Sequence, residues 1–384
     1  METSVVLKNT VFSPSELALI APDITLQKYI SAGYRPSLRE FEEFKPVVIS
    51  KAGISRYNTE DRANDSTSVI GSSSVKCGGT SIICTISAGV VEDDFEAIND
   101  YRMRLDADII VDEERGNEEE IELLGGDLLN ENGAVYPVVE IARGSNAPPG
   151  PEEIGLGEQL YASVLHSGLI SREELRVNVG LQSMDEKGEV VIITGDEVGA
   201  IKKKFSFVLY ARLEVFGKTG PLFDQCYAAL VKALRDTKLP NVYLNERESI
   251  MRTRGGKRNA NVNIQSFDLV CDPTEYRDLK LREDRICWAS TFGIADMYDA
   301  NDGGAGEDEQ MHGGEMESNS ILLADLEGDA ENDISKRITA LSNGKGEFVS
   351  VTIERGNGSP FTSDMIRHAL GLAQTRANDM IGKF

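Results

Sequence analysis

The sequence predicts an α+β chain of two lobes, on three observations. Short β-branched and apolar runs bounded by glycine recur along its length. Fewer, longer segments carry apolar residues at helical spacing. Two acid-rich stretches interrupt this pattern, as inserted segments do. The 384 residues suffice for one large or two medium domains, and 40% hydrophobic residues supply a sizeable core.

The elements follow in order. Residues 12–30 predict a short helical arm. Ser13 is placed to cap it, Pro14 suits the first helical position, and Glu16 lies three residues on, as in a capping box. Leu17, Ile20, Ile24 and Leu26 are its expected packing face, and Gly33-Tyr-Arg-Pro breaks the pattern. Val47-Val-Ile49 and Ser81-Ile-Ile-Cys-Thr-Ile86 read as strands, and Gly71-Ser-Ser-Ser-Val-Lys-Cys-Gly-Gly-Thr80 as a strand entering a tight hairpin. Strand character resumes at Val135-Tyr-Pro-Val-Val-Glu-Ile141. The stiff turn Pro148-Pro-Gly-Pro151 leads into a helix over roughly 156–168. Leu175, Val177 and Val179 alternate, and so do Phe205, Phe207, Leu209, Ala211, Leu213 and Val215. After the turn Gly217-Lys-Thr-Gly-Pro221, residues Phe223, Tyr227, Leu230, Val231 and Leu234 fit a buried helix that ends before Pro240. Further strands are expected at 264–271, 286–294, 321–325 and 348–353. A closing helix over about 362–381 carries Ile366, Leu370, Ala373, Ala377 and Ile381 inward. The division expected is an arm at 1–30, a first lobe at 31–244 with an acidic insertion at 91–133, and a second lobe at 245–384 with an acidic, glycine-rich insertion at 299–319.

The net charge of -24 is local. Residues 91–133 carry a net -13 and residues 296–332 a net -12, which leaves the rest close to neutral. Phosphate-backbone binding is therefore opposed in those segments but not elsewhere on the surface. No run approaches the length needed to span a bilayer, and the N-terminus lacks a basic and an apolar signal region. Five cysteines, Cys77, Cys84, Cys226, Cys271 and Cys287, form no CxxC pair and read as reduced core thiols of an intracellular protein.

Several stretches, in order, resemble the RNase PH-like family: Gly33-Tyr-Arg-Pro with Arg39-Glu, the hairpin ending at Thr80, the helix near 156–168, and Lys218-Thr-Gly-Pro-Leu-Phe-Asp-Gln-Cys226. The terminal helix with Ala373 and Arg376-Ala377 fits as well. The resemblance covers about residues 25–384 outside the acidic insertions, and the order of the motifs carries it, since none is specific alone. It implies the RNase PH-like fold, with a lobe like ribosomal protein S5 domain 2 and a second RNase PH lobe. It implies a place beside other RNase PH-like subunits in the hexameric ring of the RNA exosome. The implied partners are OB-fold and KH cap subunits, an associated hydrolytic 3′ exonuclease, and RNA, with no membrane. The implied location is the nucleus and nucleolus, and also the cytoplasm, and the implied work is RNA processing and degradation.

Phosphorolysis needs a held phosphate, a positioned RNA 3′ end and a group that manages protons at the leaving oxygen. Where active relatives carry an Arg pair, this sequence aligns Glu152 and Glu153. A carboxylate about 4 Å from a phosphate oxygen costs roughly 4 kcal/mol at an effective dielectric near 20. Where relatives carry an Asp-Gly-Gly-Thr-Arg run, this chain has Thr219-Gly220-Pro221-Leu222. A silent subunit without catalytic residues, cofactor or metal is therefore expected. Asp224 reads as a helix-start carboxylate.

Other chemistry is weakly signalled. Gly217-Lys-Thr-Gly220 lacks the spacing of a phosphate loop. His166, His312 and His368 are scattered, and the acidic clusters at 112–122 and 307–317 lack a cation-loop template. Two basic clusters are candidates for sequence-independent RNA contact: Arg252, Arg254, Lys257 and Arg258 among glycines, and Lys202, Lys203 and Lys204. Either also reads as an exposed charged loop. Two further functional readings stand beside the scaffold: an active phosphate-dependent 3′-to-5′ exoribonuclease, and an acidic adaptor that meets partners through its insertions.

Overall fold

A computed structural model describes residues 12, 13, 16, 19–57, 68–92, 134–144, 148–184, 190–193, 205–245, 269–297, 320–328, 331, 334–356 and 360–381. In chain order the described strands are β1 (Val47–Ser50), β2 (Val69–Cys77), β3 (Thr80–Glu92), β4 (Val135–Ile141), β5 (Arg176–Val177), β6 (Val179–Met184) and β7 (Val190–Ile193). They continue as β8 (Phe205–Phe216), β9 (Lys238–Asn245), β10 (Leu269–Asp278), β11 (Cys287–Asp296), β12 (Ser320–Ala324), β13 (Arg337–Asn343) and β14 (Phe348–Glu354). The helices that position the site are α1 (Pro22–Ser31), α2 (Pro151–Ser167), α3 (Phe223–Arg235) and α4 (Ser363–Ile381).

The strands form three sheets. The first has the order β1-β2-β3-β8-β4, with β5 also on β8. Its long β8 buries Phe205, Phe207, Leu209, Ala211, Leu213 and Val215 and turns the alternate residues outward, the period of two expected of a half-buried strand. The β2–β3 hairpin pairs Cys77 with Thr80 across Gly78 and Gly79, and Gly78 adopts φ +56°, where a side chain would be strained. The second sheet, β10-β9-β6-β7, joins β9 to β6 in parallel. The third, β12-β11-β13-β14, is antiparallel throughout.

Helix α3 ties the sheets together. It packs on β2 and β3 on one side and on β11 on the other. Its stretch from Gln225 to Val231 is buried without interruption, so the middle of the helix is enclosed by the core, while Lys232 and Arg235 leave a polar stripe at its end. One continuous core runs from Ile82 and Leu213 through Tyr227 and Leu230 to Trp288, Leu341 and Met380. A second cluster sets Ala369 and Ala373 of α4 against Phe292 and Ile338.

Several sequence expectations shift. The capping box at Ser13 and Glu16 forms, with Glu16 Oε2 accepting from Ser13 N at 2.8 Å and Ser13 Oγ accepting from Glu16 N at 3.3 Å. Pro22 then opens a new helix in the first-turn position where it needs no partner. The inward face is set from there, so Leu26 and Ile30 are buried against Leu323 and Leu326, while Ile20 and Ile24 are 62% and 46% exposed. Leu17 lies outside the described residues. Strand β3 runs to Glu92, into the segment read as an insertion, and α2 begins at Pro151 rather than near 156. Strands β7, β9 and β13 were not expected. Strand β10 pairs Leu269 with Leu244 of β9, so that sheet continues past residue 245. Cys77, Cys84, Cys226 and Cys287 are buried, but Cys271 is exposed, because β10 leaves it on an open surface. The remainder of the two acidic insertions, residues 93–133 and 298–319, lies outside the described residues.

Candidate functional site

The positions that the sequence marked as degenerate gather around the turn at residues 217–221, but they do different things. Gly217, at φ +69°, comes so near the β2–β3 hairpin that a Cβ on it would sit 2.6 Å from Gly79 O. Thr219 Oγ1 lies 2.9 Å from Thr80 Oγ1, and Thr219 N donates to Thr80 Oγ1 at 3.2 Å. Thr219 O accepts from Gly328 N at 2.8 Å. Thr219 is thus a tie between the hairpin, the turn and the segment after β12. A neutral hydroxyl engaged with another hydroxyl is a poor proton donor to a leaving oxygen.

Glu152 and Glu153 open α2, where carboxylates suit the positive helix end. They part company at once. Glu153 is buried and turns back onto its own helix start. Its Oε1 accepts from Ile141 N at 2.8 Å, and its Oε2 accepts from Arg143 Nη2 at 2.6 Å and from Gly150 N. The backbone donors of Gly150 and Ile141, with Arg143 beside them, hold its carboxyl below the usual glutamate range. Glu152 instead reaches an exposed ion pair with Lys218 Nζ at 2.5 Å. The sequence reading placed both carboxylates in one anion-repelling pocket. The structure corrects this: each is matched by a cation, and Glu153 is spent on the helix cap. Arg143 was the missed partner. Its only sequence signal was its place ten residues before Glu153, at the entrance to the Pro-rich turn.

Asp224 lies one helical turn into the same region. Its Oδ2 accepts from Thr291 N at 2.8 Å and its Oδ1 from Thr291 Oγ1 at 2.7 Å. Burial pushes its carboxyl up, and the Arg376 guanidinium and the Thr291 donors hold it back. Asp224, in the first turn of α3 as expected, therefore also latches that helix to β11.

Beneath the turn runs an ionic belt that sequence reasoning missed. Arg35 is fully buried and makes a side-on, bidentate pair with Glu331, through Nε to Oε1 at 3.0 Å and Nη2 to Oε2 at 2.5 Å. It also donates to Ala324 O at 2.7 Å and to Asp325 O at 3.2 Å. Lys45 meets Asp325 Oδ1 at 3.4 Å and Leu326 O at 3.2 Å, and Lys336 pairs with Asp296. Asp325 sits at φ +49°, which aspartate tolerates better than most residues. The acids that flank the second insertion are thus structural, each placed against a cation of another segment.

The basic candidates Lys202, Lys203, Lys204, Arg252, Arg254, Lys257 and Arg258 lie outside the described residues, as do His312 and the acidic clusters at 112–122 and 307–317. His166 is exposed near the end of α2, and His368 Nε2 lies 2.7 Å from Glu42 Oε1 on the surface. Among the described residues, no group of three His, Cys, Asp or Glu side chains is placed to hold a metal, and no helix is long and apolar enough to cross a membrane.

No protein-family model matches the chain. Among solved structures it is similar to a chain of the Archaeoglobus fulgidus exosome with RNA bound to the active site, at 13% identity and a TM-score of 0.52, over 96% of this chain and 99% of that one. It is similar also to a chain of an archaeal exosome core, at 13% identity and a TM-score of 0.51, over 97% of this chain and 99% of that one. The described residues, then, have the α+β, RNase PH-like fold of these exosome chains.

Proposed function

We propose that the chain is a non-catalytic RNase PH-like subunit of an RNA exosome ring, where it shapes the channel through which RNA reaches a nuclease. Its sequence phrases most resemble those of the eukaryotic component called ribosomal RNA-processing protein 43, in particular Arg35-Pro-Ser-Leu-Arg39, Lys218-Thr-Gly-Pro-Leu-Phe-Asp224 and Met251-Arg-Thr-Arg-Gly255. By that resemblance it would work in the nucleus, the nucleolus and the cytoplasm, with OB-fold and KH cap subunits and a hydrolytic 3′ exonuclease.

The observation that carries the silent reading is the commitment of the four described residues aligned with the expected reaction centre. Thr219 is tied to Thr80, Glu152 to Lys218, Glu153 to Arg143 and its helix cap, and Asp224 to Thr291. None of these residues combines a free guanidinium for phosphate with an acid for the leaving oxygen. Membership of an assembly is supported by the outer face of the first sheet. Val91, Tyr136, Val138, Tyr210 and Phe216 are all exposed there, around the paired charges of Glu140, Arg212 and Glu214, a mixed face suited to a protein contact.

The test is phosphorolysis of a 3′-labelled RNA with inorganic phosphate, by the purified full chain and by the ring reconstituted with its RNase PH-like relatives. The expected result is no phosphate-dependent release of nucleoside diphosphate by the chain, and ring activity unchanged by Thr219→Ala. Release that disappears with Thr219→Ala or Asp224→Ala while the ring stays assembled would reverse the proposal.

A further inference from the structure

Leucine is a poor choice for a left-handed, solvent-facing position, yet Leu38 occupies one. Its φ is +61° and it is 79% exposed. In that conformation Cβ crowds the following carbonyl, so bulky residues avoid it and glycine accepts it. A loop free to relax would not hold the side chain there. This loop is fixed on both sides. Arg35 is locked under it by the buried pair with Glu331, and Leu38 N donates to Arg35 O at 2.9 Å to close the turn. On the other side, Arg39 Nη1 donates to Glu43 O at 2.8 Å, and its Nη2 donates to Asp325 O at 2.9 Å and pairs with Glu327 at 3.1 Å.

The outcome is a rigid turn that presents an aliphatic side chain, with Tyr34, 61% exposed, at its base. Strain that persists in a pinned loop is a mark of function rather than of folding. Glu40, Glu42 and Glu43 stand exposed near it in the chain, Glu42 with His368 Nε2 at 2.7 Å and Glu43 accepting from Glu40 N at 3.1 Å, while Arg39 is occupied by Glu327 and backbone carbonyls, so the rim is acidic on balance. This rim repels phosphates and anionic headgroups, and it matches a basic protein surface.

We propose that Leu38, with Tyr34 beside it, is a preformed knob that inserts into an apolar, Lys/Arg-rimmed pocket on an adjoining protein subunit. Its partner, one of the RNase PH-like chains, rests on the ring reading. The knob itself is a property of this loop. Preorganisation is the physical gain, since a side chain held in its bound position loses little freedom on docking.

The two demands on Leu38 have opposite signs, and the experiment uses that. The full chain and its Leu38→Gly, Leu38→Asn and Glu40→Lys variants are purified. Thermal midpoints are read on each alone, and dissociation constants are read against the RNase PH-like chains of the same genome, expressed together. Gly and Asn accept φ near +60°, so both variants should melt at or above the wild-type temperature while binding about 10-fold or more weakly, as loss of a central anchor does. Glu40→Lys should slow association and weaken binding at low salt. Unchanged affinity in Leu38→Gly overturns the proposal. So does a fall of affinity and melting temperature together, which assigns Leu38 to folding. Tighter binding by Glu40→Lys overturns the basic rim. If the wild-type chain itself binds none of the RNase PH-like chains, the ring reading fails, and the partner named here fails with it.

Discussion

Replacing Arg35 with methionine removes the guanidinium but keeps much of its length, and it isolates the contribution of the ionic belt. Six contacts to Glu331, Ala324 O, Asp325 O, Glu40 O and Phe41 O are lost together. What remains is worse than the loss itself, because Glu331 stays fully buried with Glu327 N, 2.7 Å away, as its remaining donor. An uncompensated buried charge of this kind costs roughly 3–5 kcal/mol. Arg35→Met should therefore destabilise the chain by about 4 kcal/mol in urea unfolding at neutral pH. Glu331→Leu should cost a similar amount, since it strands the guanidinium. Arg35→Met/Glu331→Leu removes both charges and should cost less than the two single changes combined, by roughly 2 kcal/mol or more. It will not restore the wild type, because the Ala324 and Asp325 carbonyls lose a charged donor. A single-variant cost below about 1 kcal/mol, or strict additivity in the cycle, would show that the pair is not the anchor described here.

Glu153→Gln should lower stability by roughly 0.5–2 kcal/mol through the weakened helix cap. Because the folded carboxyl titrates below its unfolded value, the wild-type advantage over Glu153→Gln is complete above the unfolded value of 4.5 and shrinks as the pH falls through the lowered folded value, which paired urea melts across pH will register. Gly220→Ala would set a Cβ 2.3 Å from Leu326 O, so it should destabilise by about 1–3 kcal/mol, measured by thermal unfolding. A maleimide at neutral pH should label Cys271 promptly, while Cys77 and Cys287, whose thiols burial pushes up to about 11, and the enclosed Cys84 and Cys226 react only on unfolding. Intact mass after brief labelling reads the result, and rapid modification of a second native thiol would contradict the burial.

Local order was legible in the sequence where one strong pattern acted alone. Alternation in residues 205–215 located β8, the Gly78-Gly79 step located a hairpin, and the spacing of Phe223, Tyr227, Leu230 and Leu234 located α3. It failed where two signals competed. The spacing of Ile20 and Ile24 with Leu26 suggested one continuous face, but Pro22 restarted the helix and left those two isoleucines outside. Strand β13 was overlooked because the alternation of Arg337-Ile-Thr-Ala340 lasts only four residues before the buried run Leu341-Ser-Asn343, where its ladder with β14 shifts register. The site was legible as a set of positions but not as a set of pairings. Glu152, Glu153 and Thr219 do converge on one region, yet Arg143, Lys218 and Thr80, which occupy them, come from other elements. The acids of residues 296–332 read only as a local excess of negative charge. Asp296, Asp325 and Glu331 are instead matched by Lys336, Lys45 and Arg35, the last of them far away along the chain.

The enclosure of α3 has a mechanical consequence. Tyr227, Leu230 and Val231 have no contact with water, and the walls that shield them belong to sheets from both ends of the polypeptide. Peeling back either wall would wet the same helix, so the free energy of opening is shared rather than local. Heat should then meet one indivisible body, giving a single calorimetric peak in place of two.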